Sequence, residues 1–479
     1  MALGRITLLS DDELKRIHET SLNILEKVGV QVYSEEAQTL LVENGAELNS
    51  AHSIVKIPSS LVEEAIKKAP KEIVLYGREP KFDLKLPSKD ITFVAPNGTP
   101  IFIRDIETGE RRSARTSDLK DFAVLCDYLD QIDLFWSPVL PTDVPPPLQH
   151  AYSFVIPIEH TSKHVQQGAL SREEAKLQIE IASAIVGDKE KLKKKPIISS
   201  VHCTVSPLVF EKDCTEAMVE FARAGIPVLP YSMPMCAITA PATIAGTLTI
   251  LNAENLAALT IIQCANPGAP MIYGGESSSA DMRTAEFNCR CPEYPLLTAG
   301  ITQMARFYNF PVYAGGCGLD ESPDDWKTLI EGSRQMALMH LSRADISAGL
   351  GSVENSKCSA LEQVILDAEA WIQARAYLRT FDVNEDTLGF DVISKVGPGG
   401  TFLTQKHTLQ HFRREIWLKK EPTILPSASG SLIEAAKKKV KEILSTHVPS
   451  PLPEDVKKEI EQILQQYKKN VCTRSRETQ

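Results

Sequence analysis

From about residue 115 onward, short apolar segments alternate with longer amphipathic segments, and this alternation restricts the possible folds more than any other feature. Strands that alternate with helices form parallel sheets. Seven segments have the length and composition of buried strands: 134–138, 164–168, 197–203, 227–231, 270–274, 311–315 and 344–349. With an eighth strand from residues 91–105 or from the chain after residue 388, they would close into a (β/α)8 TIM-type barrel, the α/β fold that we predict. A doubly wound open sheet is the alternative, but the Gly-rich phosphate-binding sequence typical of that fold is missing.

The chain on either side of this repeating region has a different pattern. Residues 1–114 begin with three helical segments and continue with strand-like segments that carry turn signals at Gly98 and Gly109. The helical segments are 11–30, with Ser10 as its N-cap, 36–48, and a third through Leu61 and Ile66. We therefore predict an N-terminal cap of helices and hairpins on a barrel of residues 115–425. Residues 426–479, rich in Lys and Glu, predict a C-terminal extension of peripheral helices.

Composition argues against several kinds of partner. The net charge is −10 without a basic block, which argues against nucleic acid. No uncharged apolar run reaches the roughly 18 residues of a membrane span, and acidic residues follow the first short apolar run, so no signal peptide is expected. The ten cysteines include no CxxC pair and predict free thiols. We therefore predict a cytoplasmic protein that binds neither nucleic acid nor a membrane.

The segment 270–306 displays one strand, loop and helix most clearly. A short apolar strand breaks at Gly274-Gly275, a polar loop carries Glu276 and Arg283, and a helix begins near Pro295. In α/β folds the loops beyond the carboxyl ends of the strands bind substrates. Glu276 and Arg283 are therefore candidate substrate-binding residues.

Further candidates lie at the ends of the predicted strands or at the start of a helix. They are Gln166, His202, Tyr231, Thr239, Tyr273 and Tyr313. Tyrosine rings attract a quaternary ammonium ion, and the helix start around Thr239 could bind a carboxylate through its free backbone amides. Packing of the tyrosines and ordinary helix capping are the structural alternatives. The spacing reveals no Ser/His/Asp triad and no acid/base pair, so we name no catalytic residue.

Two groups of residues raise the question of a metal site. His407 and His411 have the i, i+4 spacing that places two imidazoles on one helical face, but no Glu follows the first His, which favours a structural role. His202, Cys203, Cys289 and Cys291 could act as zinc ligands, although no spacing enforces this. We predict no bound metal and keep zinc as the alternative.

Five segments, in this order along the chain, resemble the trimethylamine methyltransferase family of corrinoid-dependent methyltransferases. They are 235–246 (MCAITAPATIAG), 281–287 (DMRTAEF), 292–294 (PEY), 396–403 (VGPGGTFL) and 407–417 (HTLQHFRREIW). The resemblance covers nearly the whole chain and implies a (β/α)8 barrel. It also implies methyl transfer from an amine to the cobalt of a separate corrinoid protein. Cobalamin would then be presented by that partner, with no cofactor bound tightly to this chain.

One loop departs from the family pattern. Family enzymes for trimethylamine carry pyrrolysine in a loop that our alignment places at residues 349–356, where this chain has standard residues, including Asn355. A tertiary amine is a poor methyl donor because its leaving group would be an amide anion. A quaternary ammonium instead leaves as a neutral amine and needs no general acid. The resemblance therefore implies the branch without pyrrolysine, which acts on glycine betaine, proline betaine or carnitine, with Asn355 as a further substrate-binding candidate.

These observations predict a methyltransferase that moves a methyl group from a betaine-like quaternary amine to the Co(I) of a cognate corrinoid-binding protein and releases a tertiary amine. We also expect a homo-oligomer. Two alternatives stay open: a zinc-dependent methyltransferase or hydrolase on the same barrel, and a non-catalytic betaine-binding protein.

Overall fold

The structure is a computed structural model that describes residues 4–289, 291–316, 318–319, 326–416, 423–425 and 431–477. Its centre consists of eight parallel strands. In chain order they are β1 (Phe93–Pro96), β2 (Leu134–Trp136), β3 (His164–Gly168), β4 (Ile198–Cys203), β5 (Val228–Tyr231), β6 (Tyr273–Gly275), β7 (Val312–Gly316) and β8 (Ile346–Leu350). All seven predicted strands are present. The eighth comes from the 91–105 region, and the elements described after residue 388 are helices.

The eight strands belong to two four-stranded parallel sheets, whose outer strands are also hydrogen-bonded to each other. One sheet has the order β2-β3-β4-β5 and the other the order β6-β7-β8-β1. Between β5 and β6, Val228 N donates to Pro270 O at 3.0 Å and Ile272 N donates to Val228 O at 2.8 Å. Between β1 and β2, Asp133 N donates to Val94 O at 2.9 Å. The fold is therefore a mixed α/β architecture built on parallel sheets, as predicted.

Each of the eight strands is followed by a helix before the next strand begins. The helices are Thr116–Tyr128, Gln149–His160, Arg172–Val186, Lys212–Ala224, Ile244–Ala265, Glu293–Phe307, Trp326–Ser342 and Leu361–Tyr377. Ile244–Ala265 is long and apolar enough to cross a membrane, but 78% of its most apolar window is buried inside the protein. Buried polar residues such as Asn252 and Asn255 bond to neighbouring elements, which fits a central helix of the core.

The side chains enclosed by the strands form an apolar cluster. Leu134, Val201, Leu229, Ile272 and Ile346 contribute to it from five different strands or strand ends. The antiparallel hairpin of Ile73–Leu75 and Leu84–Leu86 adds its own buried side chains to this cluster. The hairpin lies where the strands begin, since Tyr76 N donates to Pro196 O at 3.1 Å, just before β4. The cluster is therefore closed at that end and leaves the carboxyl ends of the strands available for a site.

The N-terminal part contains three α-helices and a small sheet. Its helices are Asp11–Asn23, Glu35–Glu43 and Ser59–Lys68, with a π-helical turn at Ile24–Val28 after the first. Ser10 caps the first helix in a capping box with Glu13, as predicted. The second helix is shorter than the predicted 36–48, because Gly45 adopts a φ of +100° and the chain then forms the strand Glu47–Asn49. The small sheet reaches the core through Val30–Val32, which pairs in parallel with Val209–Phe210 after β4.

The described residues after the last core helix form five more helices. They are Glu385–Leu388, Phe390–Val396, Lys406–Glu415, Leu432–Thr446 and Glu454–Glu477. The fourth buries Ala436, Val440 and Ile443 in the cluster that also contains Trp371 of the last core helix. The fifth contributes Ile460, Leu464 and Tyr467 to the larger core cluster. These two helices are therefore packed onto the body of the protein.

Candidate functional site

A cavity of about 480 Å³ lies at the carboxyl ends of the eight strands. Every strand contributes to its wall, through its last residues or the loop that follows it. The lining residues are Asn97, Gly98, Thr99, Trp136, His150, Gln167, Gly168, Ala169, Leu170, Val201, Cys203, Cys214, Tyr231, Met233, Glu276, Phe287, Cys289, Gly316, Ala348, Gly349, Asn355 and Ser356. A site in this position is the usual one for a fold of parallel strands and helices.

Glu276 is the one carboxylate among the described residues that line the cavity, and two tyrosines hold it. Tyr231 donates its hydroxyl to Glu276 Oε2 and Tyr294 donates to Oε1, both at 2.5 Å. Tyr294 also accepts a hydrogen bond from Gly316 N at the end of β7. Because both carboxylate oxygens are engaged, the orientation of Glu276 is fixed before any ligand binds.

The glycines before Glu276 explain how it reaches this position. A Cβ on Gly274 would lie 2.6 Å from Tyr313 O on the neighbouring strand, so a side chain there would push β6 and β7 apart. The glycine at this position lets β6 pair closely with β7. The chain turns away from the sheet directly after β6, which brings Glu276 to the cavity.

An aromatic cluster lies beside the carboxylate. The ring of Trp136 packs edge-on against Tyr231 at 5.6 Å and against Tyr313 at 5.9 Å between ring centroids. Tyr231 and Tyr313 are 5.3 Å apart, and Phe287 packs edge-on against Tyr294 at 6.3 Å. Trp136, Tyr231 and Phe287 line the cavity directly. Aromatic rings and a carboxylate at one cavity form a surface that suits a cation.

No cationic side chain of the described lining balances the charge that Glu276 carries when it is ionised. Burial raises the pKa of Glu276, while the hydrogen bonds from Tyr231 and Tyr294 oppose that rise. Burial and the nearby Glu276 hold the pKa values of both tyrosines well above their usual range, so both hydroxyls stay protonated as donors. No Lys or Arg is present among the described lining residues. The site therefore has a carboxylate without a cationic side chain to neutralise it.

Two polar atoms at the cavity have no hydrogen-bond partner in the described part of the chain. They are Oε1 of Gln167 and Nδ1 of His150, both buried. Gln167 is oriented by its amide nitrogen, which donates to Ser153 Oγ at 3.0 Å. Burial lowers the pKa of His150, which favours the neutral imidazole. Buried polar atoms normally have partners, so both atoms have hydrogen-bonding capacity that the described residues do not use.

The thiols at the cavity are not arranged for metal binding. Cys203, Cys214 and Cys289 line it, and burial raises the pKa of Cys203 to about 11 and that of Cys214 to about 12, so both remain thiols. Where side chains are described, the only set of three close metal-type ligand atoms is Asp386, His407 and His411 in the C-terminal helices. That set contains none of the four residues of the zinc hypothesis.

The structure brings four of the nine predicted binding residues together. Tyr231, Glu276 and Asn355 line the cavity, and Tyr313 packs against Tyr231 with their hydroxyls 3.5 Å apart. Gln166 is one position before the lining residue Gln167 and accepts a hydrogen bond from Ser199 Oγ at 3.3 Å. Residues 164–167 are all buried, so no alternation of polarity in the sequence indicates which glutamine faces the cavity.

The other four predicted residues have partners elsewhere. His202 Nδ1 lies 3.7 Å from Cys214 Sγ, and its ring packs on Phe221. Tyr273 donates its hydroxyl to Asn252 on the long core helix at 2.9 Å, and Thr239 accepts a hydrogen bond from Met235 N at 2.8 Å. Arg283 is paired with Asp281, and its side chain is 87% exposed. None of the four is a lining residue of the cavity.

Among the lining residues that were not predicted as substrate-binding, four have the ring or polar group that could contact a small molecule: Trp136, His150, Gln167 and Phe287. Trp136 ends β2, and the strand-end criterion applied to the other strands could have identified it. His150 lies on the helix after β2 and Phe287 in a long loop, and no spacing in the sequence marks either position.

Fold and site together define the class: an α/β protein with parallel strands and a small-molecule cavity at their carboxyl ends. The sequence model of the family described as "Trimethylamine methyltransferase (MTTB)" matches residues 2–472. The chain therefore belongs to the trimethylamine methyltransferase family and is a methyltransferase, which confirms the predicted family. Of the five segments that carry the resemblance, the last ends at Trp417, which lies outside the described residues.

Individual relatives agree with this assignment. The chain is 32% identical to trimethylamine methyltransferase MttB of Desulfitobacterium hafniense (strain DSM 10664 / DCB-2) over 469 residues, covering 95% of this chain and 93% of the relative. It is 30% identical to the glycine betaine methyltransferase of Desulfitobacterium hafniense (strain Y51) over 484 residues, covering 98% of each. Among solved structures, the hydroxylamine MtmB complex aligns with a TM-score of 0.50 and 15% identity over 98% of this chain and 94% of that chain, a likeness of fold alone.

Proposed function

We propose that this protein transfers a methyl group from a quaternary amine of the betaine type to the Co(I) of a corrinoid held by a separate protein. The observation that carries the proposal is the carboxylate of Glu276, fixed by two tyrosine hydroxyls in an aromatic cavity whose described lining has no cationic side chain. A quaternary ammonium supplies the missing positive charge and suits the rings of Trp136, Tyr231 and Phe287.

We further propose that β1–β8 form a closed (β/α)8 barrel. The order of the two sheets, and the hydrogen bonds that join β5 to β6 and β1 to β2, support this arrangement. β1 lies within the predicted cap of residues 1–114, so the barrel would begin near residue 93. The cavity then occupies the end of the barrel where substrates bind in this fold.

The carboxylate of a betaine needs a donor, and His150 is our proposal for it. Its Nδ1 is buried without a partner in the described residues, and the residue lines the cavity, so the tautomer that carries the proton on Nδ1 could donate to the carboxylate after a small rotation of the ring. Gln167 Oε1 is an acceptor and suits the polarised methyl groups of the ammonium end instead. Three of the predicted residues, Tyr231, Glu276 and Asn355, would complete the contacts.

The chemistry requires little from the protein beyond position and environment. The C–N bond breaks with its electron pair going to nitrogen, and the electron pair of Co(I) forms the new bond to the methyl carbon. The amine leaves neutral, so no proton has to be delivered and no general acid is needed. The rigid carboxylate and rings hold the cation in place and exclude water, which brings the methyl group toward the acceptor.

One relative and one loop of this chain support a substrate with a quaternary nitrogen, although the other relative reported above is named for trimethylamine. One full-length relative is named a glycine betaine methyltransferase. The loop that our alignment equates with the pyrrolysine loop contributes Gly349, Asn355 and Ser356 to the cavity, all standard residues. A corrin macrocycle is larger than a cavity of about 480 Å³, so the corrinoid protein would bind at the cavity mouth and present its cobalt from outside.

Spectroscopy of the acceptor tests the proposal. We would mix the enzyme and a reduced corrinoid protein with glycine betaine, proline betaine, carnitine or trimethylamine, and follow the loss of the Co(I) absorbance. Methylation with at least one betaine and not with trimethylamine is expected. Methylation with trimethylamine alone would contradict the leaving-group argument, and no methylation with any of these amines would contradict the proposed reaction.

A further inference from the structure

We propose that residues 381–416, hereafter the arm, are the surface through which two copies of this chain associate. The arm consists of three short helices, Glu385–Leu388, Phe390–Val396 and Lys406–Glu415, with their connections. None of the described side chains of these helices is buried. Large apolar residues are nevertheless frequent: Phe390 is 73% exposed, Leu403 82% and Leu409 72%.

Short helices of this kind need a packing partner. The three helices have 4, 7 and 10 residues, and isolated helices shorter than about 12 residues are marginal in water. In most surface helices an apolar face packs on the protein's own core, but the apolar side chains of the arm face outward. An exposed apolar surface of this size marks an interaction site.

The position of the arm favours a second copy over the corrinoid protein as the partner. The arm follows the end of helix Leu361–Tyr377, where Arg375 donates to Thr92 O at 3.0 Å, just before β1. Arg343, next to the start of β8, donates to Leu378 O at 3.0 Å. The arm therefore leaves the core at the end where the strands begin, opposite the cavity. A protein that delivers a methyl acceptor to the cavity would bind at the other end.

Charge and area fit an interface between identical surfaces. Acidic residues such as Glu385 and Asp391 lie in the first two helices, and basic residues such as Lys406 and Arg413 lie in the third. A two-fold axis can therefore place the acidic half of one arm against the basic half of the other. Nine large apolar side chains of the arm are exposed. If each exposes on the order of 100 Å² of apolar surface, together they present about 900 Å². This area is close to the roughly 800 Å² that each partner buries in a standard interface.

Sedimentation velocity of the wild-type protein and two arm variants, Phe390→Asp and Leu403→Asp, tests this proposal. We expect wild-type dimers, or a higher even multiple, at micromolar concentration. Each variant is expected to raise the dissociation constant at least tenfold, because it places a charge in an apolar interface. The matched control is Val448→Asp, which replaces an 81% exposed apolar residue outside the arm and should leave the mass unchanged. Circular dichroism verifies that the variants fold.

Three results would overturn the proposal. The first is a wild-type protein that stays monomeric at all concentrations. The second is a pair of arm variants that keep the wild-type mass. The third is a pair of variants that no longer bind the corrinoid protein but still self-associate. Should the variants not fold, hydrogen exchange of the wild-type protein gives the answer. Amides of residues 385–415 should be protected in concentrated protein and exchange faster on dilution. Exchange that is independent of concentration would contradict the interface.

Discussion

At the scale of single residues, Glu276 combines burial, two tyrosine donors and the absence of a cationic side chain from the described cavity lining. We expect Glu276→Gln to weaken binding of glycine betaine by roughly 10- to 100-fold, because a charge-assisted contact is replaced by a neutral one. Isothermal titration calorimetry measures the change. The control is Glu47→Gln, which removes the same charge from an exposed side chain in the N-terminal sheet. Equal affinities in the two variants would exclude a role for Glu276 in binding.

The same carboxylate predicts how binding depends on pH. Burial raises the pKa of Glu276 in the empty cavity, and a bound cation would lower it, because the cation favours the ionised form. Binding is then coupled to loss of a proton. Affinity should rise by up to about tenfold per pH unit below that pKa and become constant above it. Calorimetric titrations with glycine betaine at several pH values between about 5 and about 9 measure this dependence. The Glu276→Gln variant should show no such dependence.

His150 is predicted to recognise the other end of the substrate. Replacing it in His150→Leu removes the unpartnered Nδ1 and should weaken glycine betaine binding by about tenfold, the value of one hydrogen bond to a charged group. Binding of tetramethylammonium, which has no carboxylate, should stay within about twofold. A competition experiment with both ligands measures the ratio. Equal losses for both ligands would indicate that His150 acts on the shape of the cavity and not on the carboxylate.

At the scale of elements, two loops meet over the cavity. The loop after β8 bonds to the loop after β6 through Asn355, whose amide donates to Phe287 O at 2.8 Å, and through Lys357 and Glu286 at 2.6 Å. Glu354, Asn355 and Ser356 all adopt left-handed φ angles between +56° and +61°. Three consecutive non-glycine residues in this region are unfavourable without support, so the contacts between the loops hold the conformation.

Two substitutions of Asn355 separate the hydrogen bond from the backbone conformation. Asn355→Ala loses the bond to Phe287 O and adds a residue that disfavours left-handed φ, whereas Asn355→Gly loses the bond but accepts the conformation. We expect the KM for the amine to rise in both, by an extra threefold to fivefold in Asn355→Ala, corresponding to about 1 kcal/mol. Steady-state kinetics of the two variants measure this. Wild-type KM values in both would mean that the loop contact does not shape the cavity.

The sequence predicts the elements better than it predicts the side chains between them. Buried strands and helices have periodic patterns, and these patterns locate all seven predicted strands. The end of a strand reveals Tyr231 and Glu276, because position along the strand decides which residues meet at the cavity. It cannot reveal that Tyr273 turns outward to Asn252, or that His150 turns inward from a helix, because both depend on tertiary packing. Arg283 carries a charge that could bind a carboxylate and lies in the loop that also carries Glu276, but its side chain pairs with the nearby Asp281.

At the scale of the whole molecule, the strands depend on contacts that no local pattern contains. The choice between a barrel and an open sheet rests on whether β1 meets β2, and their pairing involves residues about 40 positions apart in the chain. At that junction Asp133 N donates to Val94 O, and Asp133 Oδ2 accepts from both Val94 N at 2.8 Å and Arg375 Nη2 at 2.7 Å. One carboxylate thus joins the first two strands to the last core helix.

This junction gives a test of the proposed closed barrel. Asp133→Ala should destabilise the protein by about 1–3 kcal/mol, because it leaves the buried Val94 amide without its acceptor and removes the carboxylate partner of Arg375. Asp130→Ala, which removes an exposed carboxylate three residues earlier, should change stability by less than about 0.5 kcal/mol. Calorimetric scans at one fixed rate compare the two unfolding temperatures, since a chain of this size can unfold irreversibly. If both variants unfold at the wild-type temperature, the β1–β2 junction contributes nothing to stability, and an open sheet becomes the better description. A selective loss in Asp133→Ala, accompanied by faster hydrogen exchange in β1 and β2, is the result that a closed ring of strands requires.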